Sequence, residues 1–202
     1  MTDRYLRPDS LEDALAALAR CGLVRAAGCT DLLAATERKA LPGDILDLTA
    51  IASLRGISRG PSYMRIGGGT TWTDIIRADL PAAIDGLKLA AREVGSIQIQ
   101  NRGTIAGNLC NASPAADGVP PLLTLDASIE LSSVRGVRTF PLSEFITGPR
   151  QIALACDELL TAVLIPNSAT RGMGHFLKLG ARKYMVISIA MTAARIEIED
   201  GV

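Results

Sequence analysis

Histidine is almost absent from the sequence, with His175 the only one among 202 residues. A metal site built on imidazole, or a Ser–His or Cys–His catalytic pair, would depend on this single side chain. His175 stands beside Phe176 on what the pattern predicts to be a strand edge. We therefore expect it to have a structural role.

Closely spaced cysteine pairs are also missing. The four cysteines are spread along the chain with no C-x-x-C motif, at Cys21, Cys29, Cys110 and Cys156. This spacing is typical neither of zinc or iron–sulfur ligation nor of a disulfide framework. Four separate thiols fit a reducing compartment.

The sequence lacks runs of one charge and long apolar runs. Its 21 Lys and Arg residues balance 21 Asp and Glu residues, with no basic block, which argues against nucleic acid as a partner. The N-terminal MTDRYLRPDS has no apolar core like that of a signal peptide, and no run approaches the roughly 18 apolar residues of a membrane span. We expect a cytoplasmic protein without membrane insertion, whose partners are small molecules or proteins.

Residues 1–56 are predicted to form a small α/β unit. A helix that follows Ser10 leads into a strand from Val24 to Ala27, and a second helix ends at Pro42-Gly43 before a strand from Ile45 to Leu48. This alternation favours a parallel sheet.

Two glycine-containing turns each have two interpretations. In Gly28-Cys29-Thr30-Asp31, the amides of a helix N-terminus could bind phosphate oxygens, or the residues could form an ordinary capped turn. The run Gly67-Gly68-Gly69 is either a ligand-binding turn or a plain connection to a helix capped by Thr71 or Thr73. It is not a dinucleotide fingerprint, because Trp72 stands where the third glycine should be. We expect Trp72 in the core.

Residues 57–172 are predicted to form a larger unit with antiparallel pairing. Strands are expected at Tyr63–Ile66 and Leu159–Ile165, and a hairpin joins Ser128–Ser133 to Val137–Phe140. The turn formers from Gly56 to Ser62 indicate a connector between the two units. Helical segments are expected at Gly86–Val94, Val119–Leu125 and Leu142–Phe145.

The stretch from Gly95 to Asp117, GSIQIQNRGTIAGNLCNASPAAD, gathers small, polar and turn-forming residues and is interpreted as a ligand-cradling loop. Backbone N–H groups are expected to be uncovered in it, and glycine can adopt the positive φ that lets successive amides converge on an anion. A surface of neutral donors suits a diphosphate. The uncovered amides are expected at Gly103, Gly107, Asn108, Asn111, Ala112 and Ser113, with side-chain donors from Thr104, Asn108 and Ser113.

Near the end of the chain, a strand is predicted from Phe176 to Gly180. Alternation directs Lys178 to the face opposite Leu177 and Leu179, towards either solvent or a ligand cleft. From Tyr184 onward the sequence again reads as a strand up to its last residues, which would leave an exposed edge. We therefore expect that the chain is a truncated piece or that another chain completes it.

Four segments together resemble the FAD-binding medium subunit, or domain, of molybdenum hydroxylases, the family of carbon monoxide dehydrogenase and xanthine dehydrogenase. They are AAGCTDLL at 26–33, IGGGTTWTDI at 66–75, the stretch at 95–117, and FLKLGARKYMVISIA at 176–190. The resemblance covers nearly the whole chain, and residues 103–117 carry its most specific part.

The resemblance implies an α+β fold in which two α/β subdomains, residues 1–56 and 57–172, form a PCMH-type cradle for FAD. Residues 173–202 would begin an incomplete C-terminal α/β domain. The loop at 26–32 would hold the diphosphate, Asp117 would bind ribose or adenine-side hydroxyls, and Lys178 would approach the isoalloxazine. The implied FAD contacts are Ala26, Ala27, Gly28, Cys29, Thr30, Asp31, Leu32, Thr104, Gly107, Asn108, Asn111, Asp117, Leu160 and Lys178, with Leu159, Val94 and Ile99 packing nearby.

The resemblance also implies an electron-transfer role without a catalytic residue or metal site on this chain. The molybdopterin cofactor and [2Fe-2S] clusters would lie in a large and a small partner subunit, and FAD would reduce an external electron acceptor. Two alternatives stay open: a freestanding FAD oxidoreductase, and a flavin-free nucleotide-binding or scaffold module. Cys29 and Ala106 depart from the family's usual glycines, and a Cβ at a positive φ would cost about 1–2 kcal/mol.

Overall fold

The computed structural model describes residues 4–35, 43–183 and 185–198. Its first part is a three-stranded sheet of β1 (Tyr5–Leu6), β2 (Val24–Ala26) and β3 (Ile45–Asp47), ordered β1-β3-β2 with both pairings parallel. The predicted parallel sheet is thus confirmed, and β1 is added to it. The predicted end of the second helix at Pro42 lies outside the described residues.

Two helices flank this sheet. Helix α1 (Leu11–Leu18) begins where the Ser10 hydroxyl accepts a hydrogen bond from the Asp13 amide, and its buried face packs on β3 in a small core. Helix α2 (Thr30–Ala34) follows β2 directly. The core consists of Ala14, Leu18, Leu46, Leu48, Ile51, Leu54 and Leu159.

The second sheet has five strands in the order β4-β5-β10-β6-β7, and every pairing is antiparallel. The strands are β4 (Ile57–Arg59), β5 (Tyr63–Gly67), β6 (Ser128–Ser133), β7 (Gly136–Pro141) and β10 (Leu159–Pro166). The predicted hairpin is confirmed as β6–β7. The predicted connector at 56–62 is wrong in part, because Ile57–Arg59 pairs with β5 as an edge strand.

In the part of the chain that the structure describes, six further helices and three 3-10 turns lie around this sheet. Trp72 is 1% exposed in their shared core, as predicted. Thr71 caps its helix through a capping box, in which its hydroxyl accepts from the Asp74 amide and its own amide donates to the Asp74 carboxylate. The helices are α3 (Trp72–Arg77), α4 (Asp85–Glu93), α5 (Ile97–Arg102), α6 (Ile105–Asn111), α7 (Val119–Thr124) and α8 (Leu142–Phe145), and the 3-10 turns are Ala52–Leu54, Ala82–Ile84 and Asn167–Thr170.

The remaining strands form two small antiparallel pairs, β8 (Ile146–Gly148) with β9 (Gln151–Ile152), and β11 (Met173–Gly180) with β12 (Ser188–Ile196). The predicted strand at the end of the chain is therefore half of a hairpin. No helix among the described residues is both long and apolar enough to cross a membrane.

A disulfide joins Cys21 to Cys156, with their Cα atoms 5.3 Å apart. The expectation of four separate thiols is therefore wrong, because the fold brings together two cysteines that are 135 positions apart in the sequence. Beside Cys156, the guanidinium of Arg138 donates to both carboxylate oxygens of Glu158 at 2.7 and 2.8 Å. These hydrogen bonds lower the pKa of Glu158 to about 2, against the opposing effect of burial.

Candidate cofactor-binding site

The turn from β2 to α2 forms the first wall of the candidate site. Cys29 is the N-cap of α2, has φ of +58°, and makes no side-chain hydrogen bond to the helix. The first amides of a helix have no intrahelical partner, so the amides that follow Cys29 are available to an anion. This geometry favours the ligand-binding interpretation of the turn over that of an ordinary side-chain cap.

Gly28 allows this turn to touch the second wall. A Cβ built on Gly28 would lie 2.0 Å from the carbonyl oxygen of Arg102 and 2.9 Å from the Cα of Gly103. Both atoms belong to the backbone, so no rotamer change could make room. Gly28 therefore has to be a glycine because two chain segments meet there.

The second wall is helical, so the prediction of a cradling loop over residues 95–117 is wrong for its middle part. Helices α5 and α6 occupy most of it, and hydrogen bonds use four of the amides that were expected to be free, those of Gly103, Gly107, Asn108 and Ala112. The Gly107 amide donates to Thr104 Oγ1 at 3.1 Å, and the Ile105 and Ala106 amides donate to the carbonyl groups of Thr70 and Gly68. The Gly103, Asn108 and Ala112 amides likewise bind carbonyl oxygens within the stretch. This wall offers side chains rather than an amide nest.

The two walls enclose a cavity of about 350 Å³. It brings together most of the predicted contacts, namely Ala27, Gly28, Cys29, Thr30, Asp31 and Leu32 from the first wall and Thr104, Gly107, Asn108 and Asn111 from the second. Val94 and Ile99 line it too. Ala26 does not line it, because Ala26 is a buried residue of β2 whose carbonyl accepts from the Leu48 amide.

A larger cavity of about 750 Å³ adjoins the first and shares Arg25, Ala27, Gly28, Thr104, Gly107 and Cys110 with it. Its lining is mainly apolar and includes Leu159 and Leu160. Sequence reasoning missed the segment 48–55, which supplies Thr49, Ile51 and Leu54. Its position directly after β3 could have indicated a ligand contact, because ligands of α/β sheets bind outside the carboxyl ends of parallel strands.

Asp117 and Lys178 lie together but line neither of these two cavities. Lys178 Nζ donates to Asp117 Oδ2 at 2.8 Å and to the Glu93 carbonyl at 3.2 Å, and the side chains are only 4% and 9% exposed. Lys178 therefore points inward, not towards solvent, while Leu177 and Leu179 are the exposed residues. Burial raises the pKa of Asp117, against the opposing hydrogen bond and charge of Lys178.

Two buried polar atoms in the described part of the chain have no hydrogen-bond partner, and both belong to predicted contacts: Asn108 Oδ1 and Asp117 Oδ1. A buried acceptor without a donor costs about 1–3 kcal/mol. Asn108 lines the smaller cavity, so a ligand hydroxyl there would give its Oδ1 a donor, whereas Asp117 lines neither cavity. The Asn108 acceptor, the helix-start amides and the apolar larger cavity fit a cofactor that has hydroxyls, a diphosphate and flat rings, as FAD does.

The two departures from the family's glycines have different outcomes. Cys29 does adopt a positive φ, so its Cβ carries the expected strain. Ala106 lies within α6 and is not among the residues with positive φ, so it has no such strain. Cys29 and Cys110 are free thiols that line the smaller cavity, and burial raises the pKa of both.

The parallel α/β unit and the antiparallel unit enclose helix-start amides and an apolar cavity, an arrangement typical of a nucleotide-cofactor-binding domain. The family described as the FAD-binding domain in molybdopterin dehydrogenase matches residues 1–168. The chain belongs to this family, whose cofactor is FAD.

Named relatives agree with this assignment. The nicotinate dehydrogenase FAD-subunit of Eubacterium barkeri is 36% identical over 180 residues, which are 87% of this chain and 61% of the relative. The xanthine dehydrogenase FAD-binding subunit of Escherichia coli O157:H7 is 37% identical over 161 residues, 78% of this chain and 55% of the relative. The chain thus spans little more than half the length of these two relatives.

Among solved structures, reconstituted CO dehydrogenase from Oligotropha carboxidovorans matches with a TM-score of 0.91 and 30% identity, covering 100% of this chain and 71% of that one. Quinoline 2-oxidoreductase from Pseudomonas putida 86 matches with a TM-score of 0.86 and 25% identity, covering 98% and 70%. The α+β fold predicted from the sequence is therefore confirmed.

Proposed function

We propose that the chain is the FAD-binding, electron-transferring part of a molybdenum-containing dehydrogenase. The observation that carries this proposal is the cavity between the start of α2 and the side chains of Thr104, Asn108 and Asn111, in a domain of an FAD-binding family. The domain boundaries at residues 56 and 172 remain predictions. A cytoplasmic location also remains a prediction, and the disulfide removes the support that four free thiols would have given it.

The diphosphate would be held by the amides of residues 28–32, because they lie at the start of α2 and line the smaller cavity. The side chains of Thr104, Asn108 and Asn111 face them from the opposite wall. Leu160 and its apolar neighbours in the larger cavity would pack against a ring of the cofactor. Gly28 keeps the two walls in close backbone contact at Arg102 and Gly103.

The contact between Asp117 and Lys178 changes the roles that the resemblance implied for them. Asp117 was expected at the adenine side and Lys178 at the isoalloxazine, yet their side chains are 2.8 Å apart. We infer that the two act together as one buried pair that lines neither cavity. Asp117 Oδ2 and the Glu93 carbonyl would hold the Lys178 ammonium in place.

FAD, when bound, supplies the ability to take up and pass on electrons singly or in pairs, and the protein supplies binding and electrostatics. The partners in this proposal are a molybdopterin-binding large subunit, an iron–sulfur small subunit and an external electron acceptor. Support comes from relatives whose names describe FAD subunits and medium chains of dehydrogenases.

The test is an FAD titration of the purified chain, followed by the visible flavin spectrum. Gly107 lines both cavities, so Gly107→Trp should fill the site and abolish FAD binding. Gly60→Trp is the matched control, because Gly60 lies in an exposed turn and lines neither cavity. Equal FAD binding by wild type and Gly107→Trp would refute the assigned site. No flavin binding by the wild type would favour a flavin-free module.

If FAD binds, affinity purification of the chain from its native host tests the electron-transfer role. Molybdenum and iron that co-purify in stoichiometric amounts would support a hydroxylase subunit. Binding of FAD without either metal would favour the freestanding oxidoreductase.

A further inference from the structure

The disulfide lies at the rim of the larger cavity. Leu23, Val24 and Arg25, which follow Cys21, line that cavity, and so do Leu154 and Leu159 on either side of Cys156. The bond thus fastens the segment leading into β2 to the segment leading into β10. These two segments belong to different sheets.

Two other contacts join the same two segments, and both require the segments to lie close together. The guanidinium of Arg25 donates to the carbonyl groups of Ala155, Cys156 and Glu158 at 3.2, 2.5 and 3.1 Å. Leu159, at the start of β10, is 4% exposed and packs in the core of the parallel sheet. Separation of the two segments would break these contacts and widen the cavity.

The bond is accessible to reagents on one side, because Cys156 is exposed whereas Cys21 is half-buried. A thiolate can therefore attack the Cys156 sulfur, which is the first step of thiol–disulfide exchange. Cys29 and Cys110, the free thiols, line the smaller cavity and belong to the binding site itself.

We propose that Cys21 and Cys156 form a thiol–disulfide exchange site whose oxidation closes the cofactor cavity and whose reduction loosens it. The proposal rests on the proposed function, because the cavity is the one assigned to FAD. A dithiol reductant would attack Cys156, release Cys21 as a thiolate and then release Cys156 by its second thiol. Two electrons and two protons thereby pass from the dithiol to the protein disulfide, and a small-molecule disulfide such as oxidised glutathione reverses the exchange.

Reduction should weaken FAD binding about tenfold, because the closed arrangement then becomes a minor state that binding must select. The test uses the full chain, prepared once with oxidised glutathione and once with a dithiol. Peptide mapping of alkylated samples identifies the Cys21–Cys156 crosslink, and fluorescence titration gives the Kd for FAD in each state. Cys156→Ser is the control: it should bind FAD like the reduced wild type and should not respond to the dithiol.

Absence of the crosslink after oxidation would overturn the proposal, and so would the same Kd in both states. If neither state binds FAD, the proposed function fails, and hydrogen exchange of residues 23–28 and 154–160 decides the inference separately. Stronger amide protection in the oxidised state would then support closure by the disulfide. Equal protection in both states would refute it.

Discussion

Gly28→Ala gives the sharpest test of how the two walls hold the cofactor. The added Cβ would lie 2.0 Å from the Arg102 carbonyl oxygen, whereas real Cβ contacts are essentially never shorter than 3.0 Å. The walls must therefore separate by at least 1.0 Å, the difference between these distances. Because the φ of Gly28 is outside the positive range, the substitution adds no backbone strain of its own.

Overpacking of this kind costs about 2 kcal/mol, or roughly thirtyfold in an equilibrium constant. The unbound protein can relieve the contact by opening, so we expect most of this cost in FAD affinity and less in the free energy of unfolding. The measurements are an FAD fluorescence titration and urea unfolding of the apoprotein. Gly148→Ala is the control, because its Cβ would meet only the flexible side chain of Gln151, at 3.2 Å. Wild-type affinity in Gly28→Ala would refute the reasoning.

Three further predictions concern stability, each measured by urea unfolding. Lys178→Met should lower the free energy of unfolding by about 3–5 kcal/mol, because it leaves Asp117 buried without its partner. The double variant Asp117→Asn/Lys178→Met should recover much of this loss. If the effects of the two substitutions simply added, the buried pair would be contradicted. The pKa of Glu158 is about 2, below its ordinary 4.5, so its stabilising effect is present above pH 4.5 and is lost as the pH falls towards 2. In Glu158→Gln, the free energy of unfolding should therefore fall by about 1 kcal/mol less than in the wild type between pH 4.5 and pH 2. This value is kept small because the arginine partner of Glu158 is half-exposed and solvent screens the pair. An unchanged pH profile would refute this. Cys29→Gly should leave the free energy of unfolding unchanged or raise it by up to about 1 kcal/mol, because Cys29 has a positive φ. Ala106→Gly should lower it by about 1 kcal/mol, because Ala106 lies in a helix. A reversed order of the two effects would contradict the φ values.

Local patterns were enough to predict most of the elements. The strands at Val24–Ala26 and Ile45–Asp47, and the β6–β7 hairpin, follow from runs of apolar residues bounded by turn formers. The strand, turn and helix start around residues 28–31 also follow from the sequence, whereas anion binding at this turn stays a prediction. What these features share is that the decisive residues are neighbours in the sequence.

The features that the sequence could not predict depend on distant neighbours. The contact of Cys21 with Cys156 and the inward direction of Lys178 are set by packing, because alternation gives two faces without saying which one is covered. The stretch at 95–117 was misjudged because its small residues were read as loop formers. In the fold they let α5 and α6 approach other segments closely: a Cβ on Gly103 would lie 3.2 Å from Trp72.

The central position of β10 restricts when the cofactor can be loaded. This strand pairs with β5 and β6, its Leu159 completes the core of the parallel sheet, and its Leu160 lines the larger cavity. A chain still being synthesised therefore has neither a complete core under the parallel sheet nor a complete lining of the larger cavity until these leucines have left the ribosome. We expect FAD to bind after that point, so the nascent chain must avoid aggregation until then without its cofactor.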